Sequence, residues 1–160
     1  MLYLLRHAKA MRDSPTGRDI DRALAPRGIE QARFIAFALG RRAGACPMPP
    51  ARLVASPALR AAQTAGILGV SLGLSVEHKP QLAPNAPAQA VTDLIAALML
   101  DKAPALIVGH NPTLEDALAL ATNEEQGDPH IRTGELITLE PAPLDSPALV
   151  RVVARLRMDE

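Results

Sequence analysis

The chain has 160 residues, with 17 basic and 17 acidic side chains, so its formal net charge is zero. A neutral chain is a poor general binder of nucleic acid or of a membrane surface, and we expect neither as a partner. Apolar residues make up 48% of the chain, but the aromatic ones are only one Tyr and two Phe, so Leu, Ala, Ile and Val must fill the core.

The length predicts a single domain over residues 1–160. Cys46 is the only cysteine, which excludes an internal disulfide and is compatible with a reducing compartment. Residues 1–5 are too few for the apolar part of a signal peptide, and no apolar run reaches membrane-spanning length. We therefore expect a cytoplasmic protein.

The first predicted element is a strand that runs into Arg6 and His7. Residues 2–5 are continuously apolar, which is typical of a strand buried on both faces of a parallel sheet. Open α/β sheets place their ligand sites at the carboxyl ends of the strands. The polar segment that follows, residues 9–23, contains Pro15 and Gly17 and is predicted to be a loop beside that site.

The first predicted helix begins at Pro26, which suits the first turn of a helix. Apolar residues then recur near a 3.6-residue period to about Arg42. Ala25 lies at the N-cap position, where its side chain offers no hydrogen-bond acceptor.

The pattern of a strand followed by polar residues appears again at residues 52–60. A strand over residues 52–55 leads to Ser56, which is predicted to cap a helix that Pro57 begins. Arg60 then lies in the first turn of that helix, near free backbone N–H groups that favour an anion.

A third copy of the pattern lies at residues 105–112. The buried strand over residues 105–108 leads through Gly109 to His110, and the next helix is predicted to start with Asn111 as cap and Pro112 as first residue. Because the carboxyl ends of parallel strands meet at one edge, the three strands bring four side chains together. These are Arg6, His7, Arg60 and His110.

The remaining elements complete an α/β pattern. We predict a strand near residues 74–77, a helix with Val91, Leu94, Ile95 and Leu98 on one face, and two closing strands over residues 136–139 and 149–154. The alternation of strands and helices predicts a three-layer α/β/α sandwich with a mainly parallel sheet.

Three motifs together resemble the histidine phosphatase superfamily, in particular its SixA-type phosphohistidine phosphatases. They are Leu-Leu-Arg-His-Ala at residues 4–8, Ser-Pro-x-x-Arg-x-x-Gln-Thr at residues 56–64, and Val-Gly-His-Asn-Pro at residues 108–112. Each motif alone is a weak signal, but all three in this order after apolar runs make a strong one. The resemblance implies a phosphoglycerate-mutase-like fold, with a six-stranded mixed sheet that has one antiparallel strand near the C-terminus.

The resemblance also implies how the site works. His7 would be the nucleophile and carry a phosphohistidine intermediate, while Arg6 and Arg60 would bind the phosphoryl oxygens through their planar forks. His110 would complete the pocket as a hydrogen-bond donor, most strongly as a cation. Arg22 opens the pattern Arg-Ala-Leu-x-x-x-Gly-x-x-Gln-Ala and would either reach the phosphate or substrate or be a surface residue.

No cofactor is expected, and the sequence also argues against a metal. It lacks His-Glu-x-x-His and paired-Cys spacings, and two arginines at the same pole would repel a cation. The expected enzyme is therefore a metal-independent phosphatase acting on phosphohistidine in a protein, most simply a histidine-containing phosphotransfer partner. A phosphatase of a small metabolite ester, a mutase and a non-catalytic phosphate-binding module are the alternatives.

Two positions depart from the family pattern. Ala8 stands where glycine usually follows Arg-His, which removes access to positive φ. Many members carry a Glu two positions after a Leu in the loop after the third strand, where it acts as general acid; here that segment is Leu82-Ala83-Pro84, and Pro84 cannot donate a proton. Asp13, Asp21 and Glu115 remain candidates for a substitute acid.

Overall fold

The structure is a computed structural model that describes residues 1–125 and 127–159. It is built on a six-stranded sheet in the order β3-β2-β4-β1-β5-β6. The strands are β1 (Leu2–Arg6), β2 (Arg52–Ala55), β3 (Val76–His78), β4 (Ala105–Gly109), β5 (Leu136–Pro141) and β6 (Val150–Leu156). β1 to β4 are parallel, and β5 runs antiparallel to both of its neighbours, so the predicted mixed sheet is confirmed.

Four helices cover the two faces of the sheet: α1 (Pro26–Arg41), α2 (Leu59–Leu72), α3 (Ala88–Leu100) and α4 (Thr113–Ala121). Successive side chains of a strand point to opposite faces, and β1 shows the result. Tyr3 and Leu5 pack in the core with α1 and α2, whereas Leu2 and Leu4 pack in the core with α3 and α4. The predicted three-layer α/β/α sandwich is therefore confirmed, with β1 buried on both faces.

The start of α1 is tied to the loop that leaves β1. Pro26 is the first helical residue, as predicted, and the backbone N–H of Ala25 donates to the Lys9 carbonyl over 2.9 Å. A Cβ atom at Gly28 would lie only 2.0 Å from that same carbonyl oxygen. Glycine at this position therefore lets the loop pack against the first turn of α1.

Two predicted helix starts are wrong: α2 and α4 each begin later than expected, although Ser56 Oγ still accepts a hydrogen bond from the N–H of Ala58 at 3.2 Å. α2 begins at Leu59 rather than Pro57, and Ser56 Oγ lies 2.6 Å from Nε2 of His110. α4 begins at Thr113, and Asn111 Nδ2 donates to the side chain of Glu115 and to a backbone carbonyl instead of capping.

The third strand, β3, also begins two residues later than predicted. Gly73 adopts a left-handed φ of 69° and the N–H of Leu74 returns to the carbonyl of Gly69 at 2.9 Å, so this segment still closes α2. Elsewhere in the fold, the described helices include none with both the length and the hydropathy that crossing a membrane requires.

Candidate active site

A polar cleft of about 780 Å³ lies where β1 and β4 end and α1 and α2 begin. Among the described residues, its lining contains five cations and no carboxylate: Arg6, His7, Lys9, Ala10, Arg22, Arg27, Gln31, Arg60, Asn111 and Thr133. A second cavity of about 840 Å³ between α1 and α2 is lined mainly by apolar side chains such as Phe37, Ile67 and Val70. Of these two cavities, the polar cleft has the cluster of positive charges that suits a phosphoryl group.

The loop after β1 is held by backbone and side-chain hydrogen bonds that place His7 at this cleft. The N–H of His7 donates to the Gly109 carbonyl at 3.0 Å, and the N–H of Gly134 donates to the His7 carbonyl at 3.2 Å. The N–H of Ala8 donates to Thr64 Oγ1 at 3.1 Å. Ala8 is fully buried and does not have a positive φ, so alanine fits there without strain.

His7 is held as a neutral imidazole with a defined tautomer. Its Nδ1 lies 2.8 Å from the Ala8 carbonyl, which can only accept, so Nδ1 carries the proton. Arg60 Nε donates to the other nitrogen, Nε2, over 3.3 Å. Burial, helped by the charges of Arg60 and Arg6, lowers the pKa of His7 to about 4. Nε2 is therefore unprotonated at neutral pH, as a nucleophile requires, and its lone pair accepts the hydrogen bond from Arg60.

Arg60 is held on its far side by Asp19, a residue of a short 3₁₀ helix, Asp19–Asp21. Nη1 of Arg60 donates to the Asp19 carbonyl at 2.9 Å, and Nη2 donates to Asp19 Oδ2 at 3.0 Å. Only 6% of Arg60 is exposed. Burial works against ionisation of Asp19, but the charges of Arg60 and Arg22 outweigh it and lower the pKa of this carboxyl.

Sequence reasoning did not single out Asp19. Its spacing of three residues from Arg22 is a local signal for an ion pair, and the two side chains do meet at 3.0 Å. Its second partner, Arg60, is 41 residues away in the sequence and could be identified only in the folded chain.

His110 packs beside His7, with ring centroids 5.0 Å apart, and only 5% of it is exposed. Burial, then the proximity of His7 and Arg60, lowers the pKa of His110 to about 3. At neutral pH it is therefore an uncharged imidazole in this structure, not the cation expected for strongest donation. Ser56 at 2.6 Å is its hydrogen-bond partner through Nε2.

Buried polar atoms without a protein partner gather at this site. Within the described residues, such side-chain atoms are Arg6 Nε, His110 Nδ1 and Asn111 Oδ1. Leaving a buried donor or acceptor unpaired costs about 1–3 kcal/mol. The Arg6 donor, together with His110 Nδ1 in its protonated tautomer, offers hydrogen bonds to the oxygens of an anion.

Arg22, the remaining predicted site residue, lines the same cleft. Its Nε donates to the Met11 carbonyl at 2.9 Å, and its Nη1 donates to Asp19 Oδ1 at 3.0 Å. Four of the five predicted residues, Arg6, His7, Arg22 and Arg60, therefore line one cleft, and the fifth, His110, packs beside His7. Arg22 lies at the side of the 9–23 loop. The partners of Arg22 keep its guanidinium at that wall.

The candidate general acids lie elsewhere. Asp21 accepts hydrogen bonds from Thr16 and Arg18, and Glu115 Oε1 accepts from Asn111 Nδ2 at 2.7 Å. Asp13, Asp21, Glu115 and Pro84 do not line the cleft. Asp19, the nearest carboxyl to the histidines in the contacts described above, is held ionised by two arginines. In the part of the chain that the structure describes, no three His, Cys, Asp or Glu side chains are arranged to hold a metal ion.

A sequence model of the histidine phosphatase superfamily (branch 1) matches residues 2–84. No curated protein sequence matches the chain significantly.

Similar solved structures cover nearly the whole chain. A structure of the protein histidine phosphatase SixA complexed with tungstate has a TM-score of 0.80 at 24% identity, covering 98% of this chain and 96% of the other. A protein from Agrobacterium tumefaciens assigned as a SixA phosphohistidine phosphatase has a TM-score of 0.78 at 28% identity, covering 97% and 96%. A mycobacterial glucosyl-3-phosphoglycerate phosphatase shares the fold, with a TM-score of 0.70 at 20% identity and 95% of each chain covered.

Proposed function

Because the chain belongs to the histidine phosphatase superfamily, we propose that it is a phosphatase that removes the phosphoryl group from phosphohistidine in a protein partner. The partner class is a histidine-containing phosphotransfer domain, and we place the reaction in the cytoplasm. The observation that carries this proposal is the neutral His7, whose unprotonated Nε2 faces a buried arginine in a cleft whose described lining residues include no carboxylate.

The proposed reaction has two steps. Nε2 of His7 attacks phosphorus, a new P–N bond forms, and the P–N bond to the substrate imidazole breaks with its electron pair going to that nitrogen. Water then attacks the phosphorus of the phosphoenzyme, which releases inorganic phosphate and restores neutral His7. Arg6 and Arg60 supply the positive charge that stabilises the phosphoryl oxygens in both steps.

The nature of the leaving group separates the two leading substrate classes. An alkoxide is a poor leaving group and needs a proton from an acid, a contribution of about 10²–10⁴-fold in rate. A protonated phosphohistidine instead leaves as neutral imidazole and does not need that acid. The lining of the cleft therefore supports a P–N substrate better than an alkyl phosphate ester of a small metabolite.

The test compares substrates in the presence of a chelator. The protein is offered three substrates: a phosphotransfer domain phosphorylated on histidine, a phosphoramidate and an alkyl phosphate. His7→Ala is the inactive control, and His78→Ala, at an exposed histidine, is the matched control that should remain active. We expect turnover of both P–N substrates and slow turnover of the alkyl ester. Rapid cleavage of the alkyl ester with no turnover of the phosphorylated protein would replace this proposal by a metabolite phosphatase. Isomerisation of a sugar phosphate would indicate a mutase.

A further inference from the structure

We propose that Lys9 and Arg27 form a second binding site in the same cleft, which takes an acidic side chain of the protein substrate close to its phosphohistidine. This inference rests on the proposed function for the identity of the substrate. The chemistry that it requires of the ligand is a second anionic group beside the phosphoryl group.

The backbone of Lys9 is fixed more firmly than that of an ordinary surface lysine. Its N–H donates to Gln31 Oε1 at 2.9 Å, and its carbonyl accepts from the N–H of Ala25 at 2.9 Å. The close approach of Gly28 to the same carbonyl packs this segment onto the first turn of α1. Lys9 therefore leaves a rigid point two residues after His7, and its side chain lines the cleft.

Arg27 lies on that first turn of α1 and lines the cleft with Lys9. Its guanidinium reaches Glu30 at 3.2 Å and the carbonyl of Asp159 at 2.7 Å, and 39% of its side chain is exposed. Two contacts leave further N–H groups of the guanidinium for a ligand. In the described residues neither Lys9 nor Arg6 forms an ion pair within 4.0 Å, and Arg6 donates to the Ile131 carbonyl. The ammonium of Lys9 is therefore a lining cation without an acidic partner of its own.

The other cations of the cleft are already assigned by their contacts. Arg60 and Arg22 share Asp19, and Arg60 reaches His7. Arg6 is the last residue of β1, directly before His7, and the charge of Glu115 acts on it. A phosphoryl group bound among these three arginines leaves Lys9 and Arg27, on the α1 side, to a different anion.

The basic surface continues beyond the cleft, which favours a polypeptide over a small molecule. An adjoining cavity of about 250 Å³ shares Arg6, Gln31 and Thr133 with the cleft and adds Arg132 and Arg157. The cleft alone, at about 780 Å³, has a volume within the usual range of about 300–1,000 Å³ for a drug-sized ligand, so it is the second cavity that favours a polypeptide. A chain segment can extend from the cleft into the second cavity.

The experiment uses two phosphohistidine peptides that differ only in carrying Glu or Gln beside the phosphorylated residue. Lys9→Gln and Arg27→Gln are compared with Lys102→Gln, which makes the same charge change in the exposed turn before β4, at the opposite end of that strand. We expect the wild type to prefer the Glu peptide. Each cleft variant should reduce the ratio of kcat/KM for the Glu peptide to kcat/KM for the Gln peptide about three- to fivefold, because an exposed ion pair contributes up to about 1 kcal/mol. Lys102→Gln should not change the ratio.

Added salt should lower the wild-type preference, since exposed ion pairs are screened. A ratio that Lys9→Gln and Arg27→Gln leave unchanged would overturn the inference. Carboxyphenyl phosphate and phenyl phosphate form the second arm of the experiment. If neither peptide is hydrolysed but the carboxylate still raises kcat/KM in a Lys9-dependent way, the protein substrate is wrong and the anion site is a metabolite site. If Lys9 and Arg27 affect neither pair, the second site does not exist, whatever the substrate.

Discussion

Arg60 directs its Nε–H at Nε2 of His7 over 3.3 Å, which links a buried cation to the one unprotonated ring nitrogen of that histidine. A guanidinium has five N–H groups, and Arg60 commits one to His7 and two to Asp19. Two N–H groups remain for the oxygens of a phosphoryl group. The orientation of Arg60 is therefore set by Asp19 on one side and by His7 on the other.

Asp19→Asn tests this orientation. Loss of the charged hydrogen bond should lower kcat about tenfold, which corresponds to about 1.5 kcal/mol for a hydrogen bond to a charged group. The inhibition constant of inorganic phosphate should not rise, because the variant also removes a negative charge from the site. Asp21→Asn is the matched control, since Asp21 contacts Arg18 and Thr16 rather than Arg60. An unchanged kcat with weaker phosphate binding would show that Asp19 does not position Arg60.

Arg60→Lys tests whether geometry matters beyond charge. A lysine keeps the charge but loses the planar fork and the Nε–H directed at His7. We expect kcat to fall on the order of 10²-fold, as when one preorganised donor to the developing charge is removed. Arg151→Lys serves as control, because Arg151 is an exposed residue of β6 that pairs with Glu140 of β5. Kinetics close to wild type for Arg60→Lys would place the phosphate clamp on another residue.

Labelling distinguishes the two buried histidines. His7→Ala should abolish both turnover and transfer of a radioactive phosphoryl group to the protein, because its Nε2 is the predicted acceptor. His110→Ala should turn over slowly yet still accept the label, since it leaves His7 in place. Samples of both variants quenched in alkaline detergent, because the P–N bond of phosphohistidine hydrolyses in acid, provide the measurement, with folding checked by circular dichroism. Label retained by His7→Ala would exclude it as the nucleophile.

The lowered pKa values of the two histidines predict that acid destabilises the fold. In the unfolded chain His7 titrates near pH 6.5, whereas in the folded protein its pKa is about 4, so the unfolded state binds more protons between these values. The free energy of unfolding therefore falls as the pH falls through this interval, and His110 acts in the same direction.

Urea unfolding at pH 7 and pH 5 measures this effect. His7→Gln should lose about 2 kcal/mol less than the wild type between the two pH values, because its side chain does not titrate. His78→Gln, at an exposed position, is the control. An equal loss in wild type and His7→Gln would contradict a neutral, buried His7.

The absence of a carboxylate from the part of the cleft lining that the structure describes predicts how rates depend on the leaving group. A series of phosphate esters should show a steep decrease of kcat/KM as the leaving-group pKa rises, with aryl phosphates between phosphoramidates and alkyl esters. Glu115→Gln should leave the slope unchanged, because Glu115 accepts hydrogen bonds from Asn111 and from the N–H of Ile131 and lies outside the lining. A flat dependence with rapid alkyl ester cleavage would reveal an acid elsewhere.

The sequence alone determined the layers of the fold and the edge at which the site lies. Apolar runs of strand length, followed directly by Arg6-His7, by Ser56-Pro57 and by Gly109-His110, are local patterns, and the carboxyl ends of parallel strands must meet. Residues 136–139 and residues 149–154 were predicted as two closing strands, with no helical pattern between them. The motif positions at Gly28 and Gln31 were also visible, although their reason, the fixed backbone of Lys9, was not.

Only the tertiary structure decided which side chains pair within the site. Ser56 and Asn111 were predicted as helix caps on local grounds. Asn111 instead bonds to Glu115, and Ser56 keeps a local bond from the N–H of Ala58 but also bonds to His110. Asp19 reaches Arg60 across 41 residues of sequence, and Ser56 reaches His110 across 54. A helix cap depends on a backbone N–H two or three residues away and can be inferred locally. A partner for a buried polar group depends on which side chains the packed core brings within 3 Å, and that distance exists only in the folded chain.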